Sequence, residues 1–148
     1  MPELTIELWA RPASPAGARN ILTSADGAVA LRVTATTTDM VTFSISISDG
    51  GGPGPGGPPT TRTVTSDPVP QGAWHHVIVS LRQPTLRLWV DGKRTEVGNV
   101  QLAAPLALDA LRLGGDAGTA YEGALDEIWV AQTAITTDDA ALARYCPL

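Results

Sequence analysis

The sequence predicts an all-β fold in which antiparallel strands form a two-sheet sandwich or a barrel. Apolar and polar residues alternate without a break in VTFSISIS at 41–48, the period-2 pattern of a strand with one buried face. Asp91 and Gly92 directly follow the alternating segment LRLWV, and Asp-Gly is a favoured pair for a two-residue hairpin turn. Several short strands separated by turn residues are typical of antiparallel all-β domains.

Further segments of the chain show the same alternation, and each predicts a strand. They are LTIELWA at 4–10, AVALRVT at 28–34, HVIVSL at 76–81, LRLWV at 86–90 and LRLGG at 111–115. A second turn is predicted at 25–27, where the sequence is Ala-Asp-Gly.

Two other segments are not predicted to be strands. The tract from Asp49 to Thr60 is rich in glycine and proline, which disfavour strands and helices, so we expect a long connector that leads into the strand-like TTRTVTS. Near the end of the chain, Thr136 or Thr137 is predicted to cap a short helix that begins at Asp138 and continues into AALARY.

Length and composition limit the classes of function. The chain has 148 residues, the size of one domain, and we expect a single domain over 1–148. Its net charge is −5 with no basic block, which disfavours nucleic-acid binding. No apolar run approaches the roughly 18 to 20 residues of a membrane helix, so membrane insertion is not expected. The single cysteine, Cys146, cannot form an internal disulfide.

The N-terminal sequence leaves the localisation open. MPELTIELWARP lacks the basic and apolar regions of a secretory signal. If Met1 is the natural start, we expect synthesis in the cytoplasm without standard export, which suits a virion component. If the chain comes from a longer secreted protein, it is an excised extracellular domain instead.

The residues that most often carry chemistry do not form a catalytic pattern. His75 and His76 are neighbours on a predicted strand, so they point to opposite faces and cannot share a metal ion. Asp126 and Glu127 are also adjacent, and Glu122 is about 13 Å from Asp126 along a regular strand. Glycoside hydrolysis needs two carboxyl groups closer to each other than this. We therefore expect no catalytic residues and no enzymatic activity.

The tryptophans are the candidate ligand-binding residues. Trp9, Trp74, Trp89 and Trp129 are out of phase with the aliphatic residues of their own strands. Two interpretations are open: the rings form a second apolar layer, which their usual burial favours, or they present an aromatic surface on which sugar rings stack. Under the second interpretation, the predicted ligand-binding residues are Trp9, Trp74 and Trp89.

Several segments, taken in order, closely resemble laminin-G-like, or concanavalin A-like, jelly-roll domains. They are LTIELWARP, ILTSADG with ALRV, VPQGAWHHVIVSL, LRLWVDGKR, LRLGGD and YEGALDEIWV followed by TAITTDDAALARY. The resemblance covers Leu4 to Tyr145 and implies a sandwich of two curved antiparallel sheets with a short C-terminal helix. It also implies a binding or structural module more often than an enzyme. Glycanase members carry an E-x-D-x-E motif that this chain lacks.

The resemblance carries two further implications. Calcium is common in this superfamily, held by loop oxygens, and Asp26, Asp49, Asp109 and Asp116 occupy predicted loops. Relatives usually begin with a further strand before the LTIELW segment. The chain is therefore predicted to lack an N-terminal strand, which leaves a sheet edge for its own C-terminus or another chain to cover.

Sequence and resemblance together favour a non-catalytic recognition or assembly module that binds carbohydrate or a protein surface. The alternative is a structural protein of a larger particle, such as a bacteriophage capsid decoration or tail protein. Both are compatible with a homo-oligomer or a larger assembly.

Overall fold

The computed structural model describes residues 3–13, 17–48, 58–102, 106, 108, 110–116 and 118–144. Within these ranges, eleven strands and one short helix form two antiparallel sheets that pack as a sandwich and do not close. The predicted all-β, two-sheet fold with a C-terminal helix is therefore confirmed. In the same ranges, no helix combines the length and the apolar character needed to span a membrane.

The strands are numbered in chain order. Their bounds are β1 Glu3–Pro12, β2 Ala18–Ser24, β3 Val29–Ala35, β4 Met40–Ser48, β5 Thr61–Thr65, β6 Val69–Pro70, β7 His75–Arg82, β8 Thr85–Val90, β9 Lys93–Val97, β10 Leu111–Leu113 and β11 Gly123–Ala131, and helix α1 is Asp138–Leu142. Sheet A has the spatial order β11-β1-β7-β8-β9, and sheet B has the order β10-β2-β3-β4-β5, with β6 also paired to β4.

The turn chemistry sets the hairpins as predicted. Asp91 and Gly92 join β8 to β9 with φ angles of 51° and 79°, the left-handed conformation that a type I′ turn needs at both positions. Between β2 and β3, the amide of Gly27 donates to the carbonyl of Ser24 at 3.0 Å, which closes the second predicted turn. Of the predicted connector at 49–60, residues 49–57 lie outside the described residues.

The main core lies between the two sheets and follows the period-2 pattern. In β4, buried residues alternate with half-buried ones along the whole strand. The alternation pattern does not predict β2, because its register with β3 shifts between Asn20 and Leu22 and the alternation is interrupted there. Each fully buried aliphatic side chain contributes about 1.5–3 kcal/mol to folding. The largest buried core residues are Phe43, Leu4, Ile6, Leu8, Ile21, Leu22, Leu31, Ile45, Ile47 and Leu81.

A second, smaller apolar cluster lies on the outer face of sheet A. The side chain of Thr137 caps α1 by accepting from the amide of Ala140 at 3.2 Å, as predicted for this threonine. Ala141 of the helix packs against Ile78 and Trp89 of the sheet. Helix α1 and the segment before it therefore cover much of the outer face of sheet A, where Thr5 and Ser80 are also buried and Oγ1 of Thr5 donates to the carbonyl of Thr133.

Candidate functional site

Three tryptophans on the outer side of sheet A are not fully buried. Trp9 is in β1 between the buried Leu8 and Ala10, so its ring points away from the main core. Trp74 directly precedes β7, and Trp129 is in β11. Trp9 and Trp74 are half-buried, whereas Trp129 is 40% exposed. We call the surface formed by Trp9, Trp74 and Trp129 the aromatic face.

A buried carboxylate, that of Glu7, lies on β1 beside Trp129 of β11. The ring centroids of Trp9 and His76 are 5.0 Å apart, and Nε2 of His76 is 2.9 Å from Oε1 of Glu7. Oε2 of Glu7 accepts from Nε and Nη2 of Arg144. Glu7 is only 9% exposed, and burying a carboxylate without partners costs free energy. The contacts with His76 and Arg144 offset this desolvation cost.

Guanidinium groups lie over two of the three tryptophan rings. The Cζ atom of Arg144 is 4.5 Å from the ring centroid of Trp129, and that of Arg11 is 5.4 Å from the ring of Trp74. Both distances are within the roughly 6 Å at which a cation is attracted to the face of an aromatic ring. The rings of the aromatic face are thus held in place by neighbouring side chains.

Trp89 is not part of this face. Its ring is 1% exposed and lies under α1, and Nε1 donates to Oδ1 of Asp138 at 2.9 Å. The same Oδ1 is 3.2 Å from Nη1 of Arg94. A covered ring cannot stack on a ligand, so Trp89 is removed from the predicted ligand-binding residues. For this tryptophan the first interpretation, a second apolar layer, is correct.

We expect Trp89→Phe to lower the free energy of unfolding by about 1–2 kcal/mol, because phenylalanine fills less volume and leaves Asp138 without its indole donor. Urea unfolding followed by far-UV circular dichroism measures this change. Trp129→Phe makes the same chemical change at an exposed position and should cost less than about 0.5 kcal/mol. Equal losses in the two variants would contradict the burial of Trp89.

The two histidines serve opposite faces of sheet A, as predicted. His76 contacts Trp9 and Glu7 on the outer side, whereas the ring of His75 is 5.9 Å from that of Phe43 in the core. Nδ1 of His75 is 2.7 Å from Oδ2 of Asp91, and Nε2 is 2.6 Å from the carbonyl oxygen of Pro70. Both neighbours are acceptors, so both ring nitrogens donate when the imidazole is protonated.

The contacts of His75 raise its pKa. Burial of the ring alone lowers the pKa, but the hydrogen bonds to Asp91 and Pro70, together with the charge of Asp91, outweigh that effect. Oδ1 of Asp91 also accepts from the amide of His76 at 2.9 Å. His75 and Asp91 thus connect β6, β7 and the turn after β8, which is a structural role.

The carboxyl groups near β11 are arranged differently from a regular strand. The register of β11 against β1 shifts between Glu7 and Trp9, and Glu127 has a φ of 49°. A bulge therefore lies there, so the strand is not regular and the opposite directions expected of Asp126 and Glu127 in a regular strand do not apply. Glu122 precedes β11, where its Oε1 is 3.7 Å from Nη2 of Arg19.

The sequence matches a known family over most of its length. A family model described as the concanavalin A-like lectin/glucanase superfamily matches residues 2–141. The chain belongs to this superfamily. The resemblance to laminin-G-like, concanavalin A-like domains is therefore confirmed. Among curated proteins, none matches the sequence.

Solved structures share the fold of this superfamily member. The CBM40 domain of the Ruminococcus gnavus IT-sialidase, bound to α2,3-sialyllactose, is 13% identical with a TM-score of 0.67, over 97% of this chain and 82% of that one. Domains LG4-5 of the mouse laminin α1 chain are 19% identical with a TM-score of 0.61, over 93% and 37%. Tailspike protein 2 of Escherichia coli O157:H7 bacteriophage CAB120 is 18% identical with a TM-score of 0.59, over 97% and 21%.

These likenesses show the fold alone, because all the identities are low. This chain spans most of the sialidase domain but well under half of the laminin and tailspike chains. Similar folds thus occur in a sugar-bound domain, in laminin and in a phage tailspike.

The four candidate calcium ligands are only partly within the described residues. Asp26 accepts from Oγ of Ser24 at 2.5 Å and from the amide of Ala28 at 3.0 Å, and these bonds lower its pKa. Oδ1 of Asp116 is 3.6 Å from Nη1 of Arg112. Within the described ranges, no three His, Cys, Asp or Glu side chains are placed to hold a metal ion. Other candidate ligands and the cysteine lie outside these ranges, at Asp49, Asp109 and Cys146.

Sequence reasoning missed part of the aromatic face. Trp129 is not among the three predicted ligand-binding residues. It is, however, out of phase with Ile128 and Val130, which is the same signal that selected the other three tryptophans. Arg144 gives no such signal, because it contacts Glu7 across 137 positions of sequence.

Proposed function

We propose that this chain is a non-catalytic module that recognises carbohydrate through its aromatic face. The observation that carries the proposal is the presence of three partly exposed tryptophans on the outer side of one sheet. Sugar rings have apolar C–H faces, and tryptophan is the side chain best suited to stack on them.

The support around the rings favours binding. Trp9 rests on His76, and Trp129 lies under the guanidinium of Arg144. Rings that are already fixed lose little conformational entropy when a ligand binds, so more of the contact energy contributes to affinity. Asp126 pairs with Trp9 across the strands and is exposed, so its carboxylate is in reach as an acceptor for sugar hydroxyl groups.

The lack of a catalytic motif supports a binding role over an enzymatic one. The glycanase motif E-x-D-x-E is absent from the sequence, and the strand at Asp126 and Glu127 is bulged. Among proteins of similar fold, one solved domain holds α2,3-sialyllactose and another, domain 4 of the Geobacillus stearothermophilus arabinanase AbnA, holds arabinotriose. These ligands support carbohydrate as the class to test first.

A glycan array followed by isothermal titration calorimetry tests the proposal. We expect Trp9→Ala and Trp74→Ala each to weaken binding of the best array ligand about tenfold or more, the loss that corresponds to about 1.4 kcal/mol. Arg82→Ala, at the opposite end of β7 from Trp74, is the control and should bind normally. Far-UV circular dichroism checks that each variant is folded. An array without any bound glycan, or unchanged affinity in both tryptophan variants, would overturn the proposal.

A second candidate function is that of a structural protein in a larger particle, such as a phage tail. It is favoured by the edge of sheet A, where β11 is the terminal strand and Ile128 and Trp129 are 38% and 40% exposed. An edge strand with apolar side chains can pair with another chain.

Sedimentation equilibrium distinguishes the two functions. A monomer at about 100 μM with normal glycan binding argues against assembly, whereas an oligomer dissociated by Ile128→Glu supports assembly.

A further inference from the structure

The outer face of sheet B has a different chemistry from the aromatic face. Strands β2, β3, β4 and β5 contain three arginines and no Asp or Glu, although the whole chain has a net charge of −5. Of the three, Arg32 lies on the outer side, because its neighbours Leu31 and Val33 are buried in the main core. On this outer face, Arg32 thus has no acidic side chain from β2, β3, β4 or β5 beside it.

Arg32 is held in a fixed orientation near the middle of this face. Its Nε donates to Oδ1 of Asn20 at 2.9 Å, and Nδ2 of Asn20 donates to Oγ1 of Thr119 at 3.2 Å. The amide of Asn20 is therefore anchored at both ends. Since Nε is the atom in use, the two terminal amino groups of the exposed Arg32 keep their donors for a ligand.

Small hydroxyl side chains occupy the neighbouring strands beside Arg32. In register across the sheet, Arg32 lies opposite Ser44 of β4, and Ser44 lies opposite Thr65 of β5. One row further along, Oγ of Ser46 and Oγ1 of Thr63 are 2.9 Å apart. Adjacent strands are about 4.8 Å apart, so these hydroxyl groups lie within the span of one sugar ring or two.

We propose that the outer face of sheet B is a second binding site, for a sugar that carries a carboxylate. An arginine whose Nε is anchored presents its terminal amino groups to a carboxylate as two parallel donors. The hydroxyl groups of Ser44 and Thr65 then serve the ring hydroxyls of the same sugar. A sialic acid and a uronic acid share this chemistry, and the two are separate arms of the test.

Charge and the lack of aromatic rings favour an anionic ligand over a neutral one. The only aromatic residue in β2 to β5 is Phe43, which is buried in the core, so stacking is not available on this face. Specificity must then come from polar contacts, and the strongest of these is the contact between guanidinium and carboxylate. This site uses residues distinct from those of the aromatic face.

Titration calorimetry with α2,3-sialyllactose, with a glucuronate-terminated disaccharide and with lactose tests the second site. We expect at least one acidic sugar to bind at least tenfold more tightly than lactose. Arg32→Ala and Arg32→Lys should each reduce this binding at least tenfold, because lysine cannot form two parallel bonds. Arg82→Ala removes the same charge from an exposed position on sheet A and should leave the affinity unchanged.

Each outcome decides the proposal. Loss of acidic-sugar binding in both Arg32 variants, with Arg82→Ala unaffected, supports it, and the acidic sugar that binds identifies the source of the carboxylate. Equal binding of lactose and both acidic sugars, no binding of either acidic sugar, or equal loss in Arg32→Ala and Arg82→Ala overturns it. Trp9→Ala separates the two sites, since it should keep the acidic-sugar binding that Arg32→Ala loses.

Discussion

Replacing His75 with alanine should lower the free energy of unfolding by about 2–3 kcal/mol, since it removes two hydrogen bonds and leaves a cavity in the core. The ring is buried, with 4% of its surface exposed, and it bonds to Asp91 at 2.7 Å and to the carbonyl of Pro70 at 2.6 Å. Both acceptors lose a donor in the variant. Guanidinium chloride unfolding at pH 6 measures the change.

The same substitution should remove a pH-dependent part of the stability. The pKa of folded His75 is raised above its ordinary value of 6.5. Below that value the ring is protonated in both folded and unfolded chains, so the stabilisation by the charged ring is complete. As the pH rises through the raised pKa, the folded ring loses its proton and the stabilisation is lost. Wild type should therefore lose stability above about pH 6.5 through this group, and His75→Ala should lack that decrease.

Asp91→Asn is the matched control for the charge. Asparagine tolerates the φ of 51° at this turn position and keeps an acceptor for the amide of His76. It removes the negative charge beside His75 and places an amide donor where Oδ2 accepts from Nδ1 of His75, so the variant should fold with a weaker pH dependence than wild type. An unchanged pH profile in both variants would show that the imidazole is neutral in the folded protein.

The sequence predicts side-chain direction well where strands are regular, and poorly where they are bulged. In β4 the alternation of 41–48 holds at every position. In β11, a bulge beside Glu127 places residues differently from the simple pattern, and no local signal in LDEIWV marks it. A bulge depends on the pairing strand, and that information is distant in sequence.

The tryptophans illustrate a second limit. Alternation correctly places both Trp9 and Trp89 away from the main core. It does not tell which ring α1 covers, because that depends on contacts of Ala141 and Asp138 with sheet A. Period-2 reasoning therefore locates the face of a strand, whereas the path of the remaining chain decides which part of that face is open to a ligand.

The pairing of β11 with β1 also makes Gly123 sensitive to substitution. Gly123→Ala should lower the free energy of unfolding by about 3 kcal/mol or more, through steric overlap and an unfavourable backbone angle. Gly123 has a φ of 144°, and a Cβ there would lie 2.2 Å from the carbonyl oxygen of Arg11 and 3.0 Å from the amide of Ala13. These are backbone atoms of β1 and of the residue that follows it, so they cannot move aside without disturbing the pairing of β1 with β11. Thermal unfolding by differential scanning calorimetry measures the loss.

Two other glycines separate steric overlap from backbone angle. Gly118 has a φ of 91° with no atom within 4 Å of an added Cβ, so Gly118→Ala should cost only about 1 kcal/mol. Gly98 has open space and no positive φ, so Gly98→Ala should be neutral or slightly stabilising. If Gly123→Ala cost no more than Gly118→Ala, the close approach of β1 and β11 would be refuted.

The close approach of β1 and β11 places Trp129 and Asp126 beside β1. A destabilised Gly123→Ala protein should therefore also bind carbohydrate weakly if the aromatic face is the binding site.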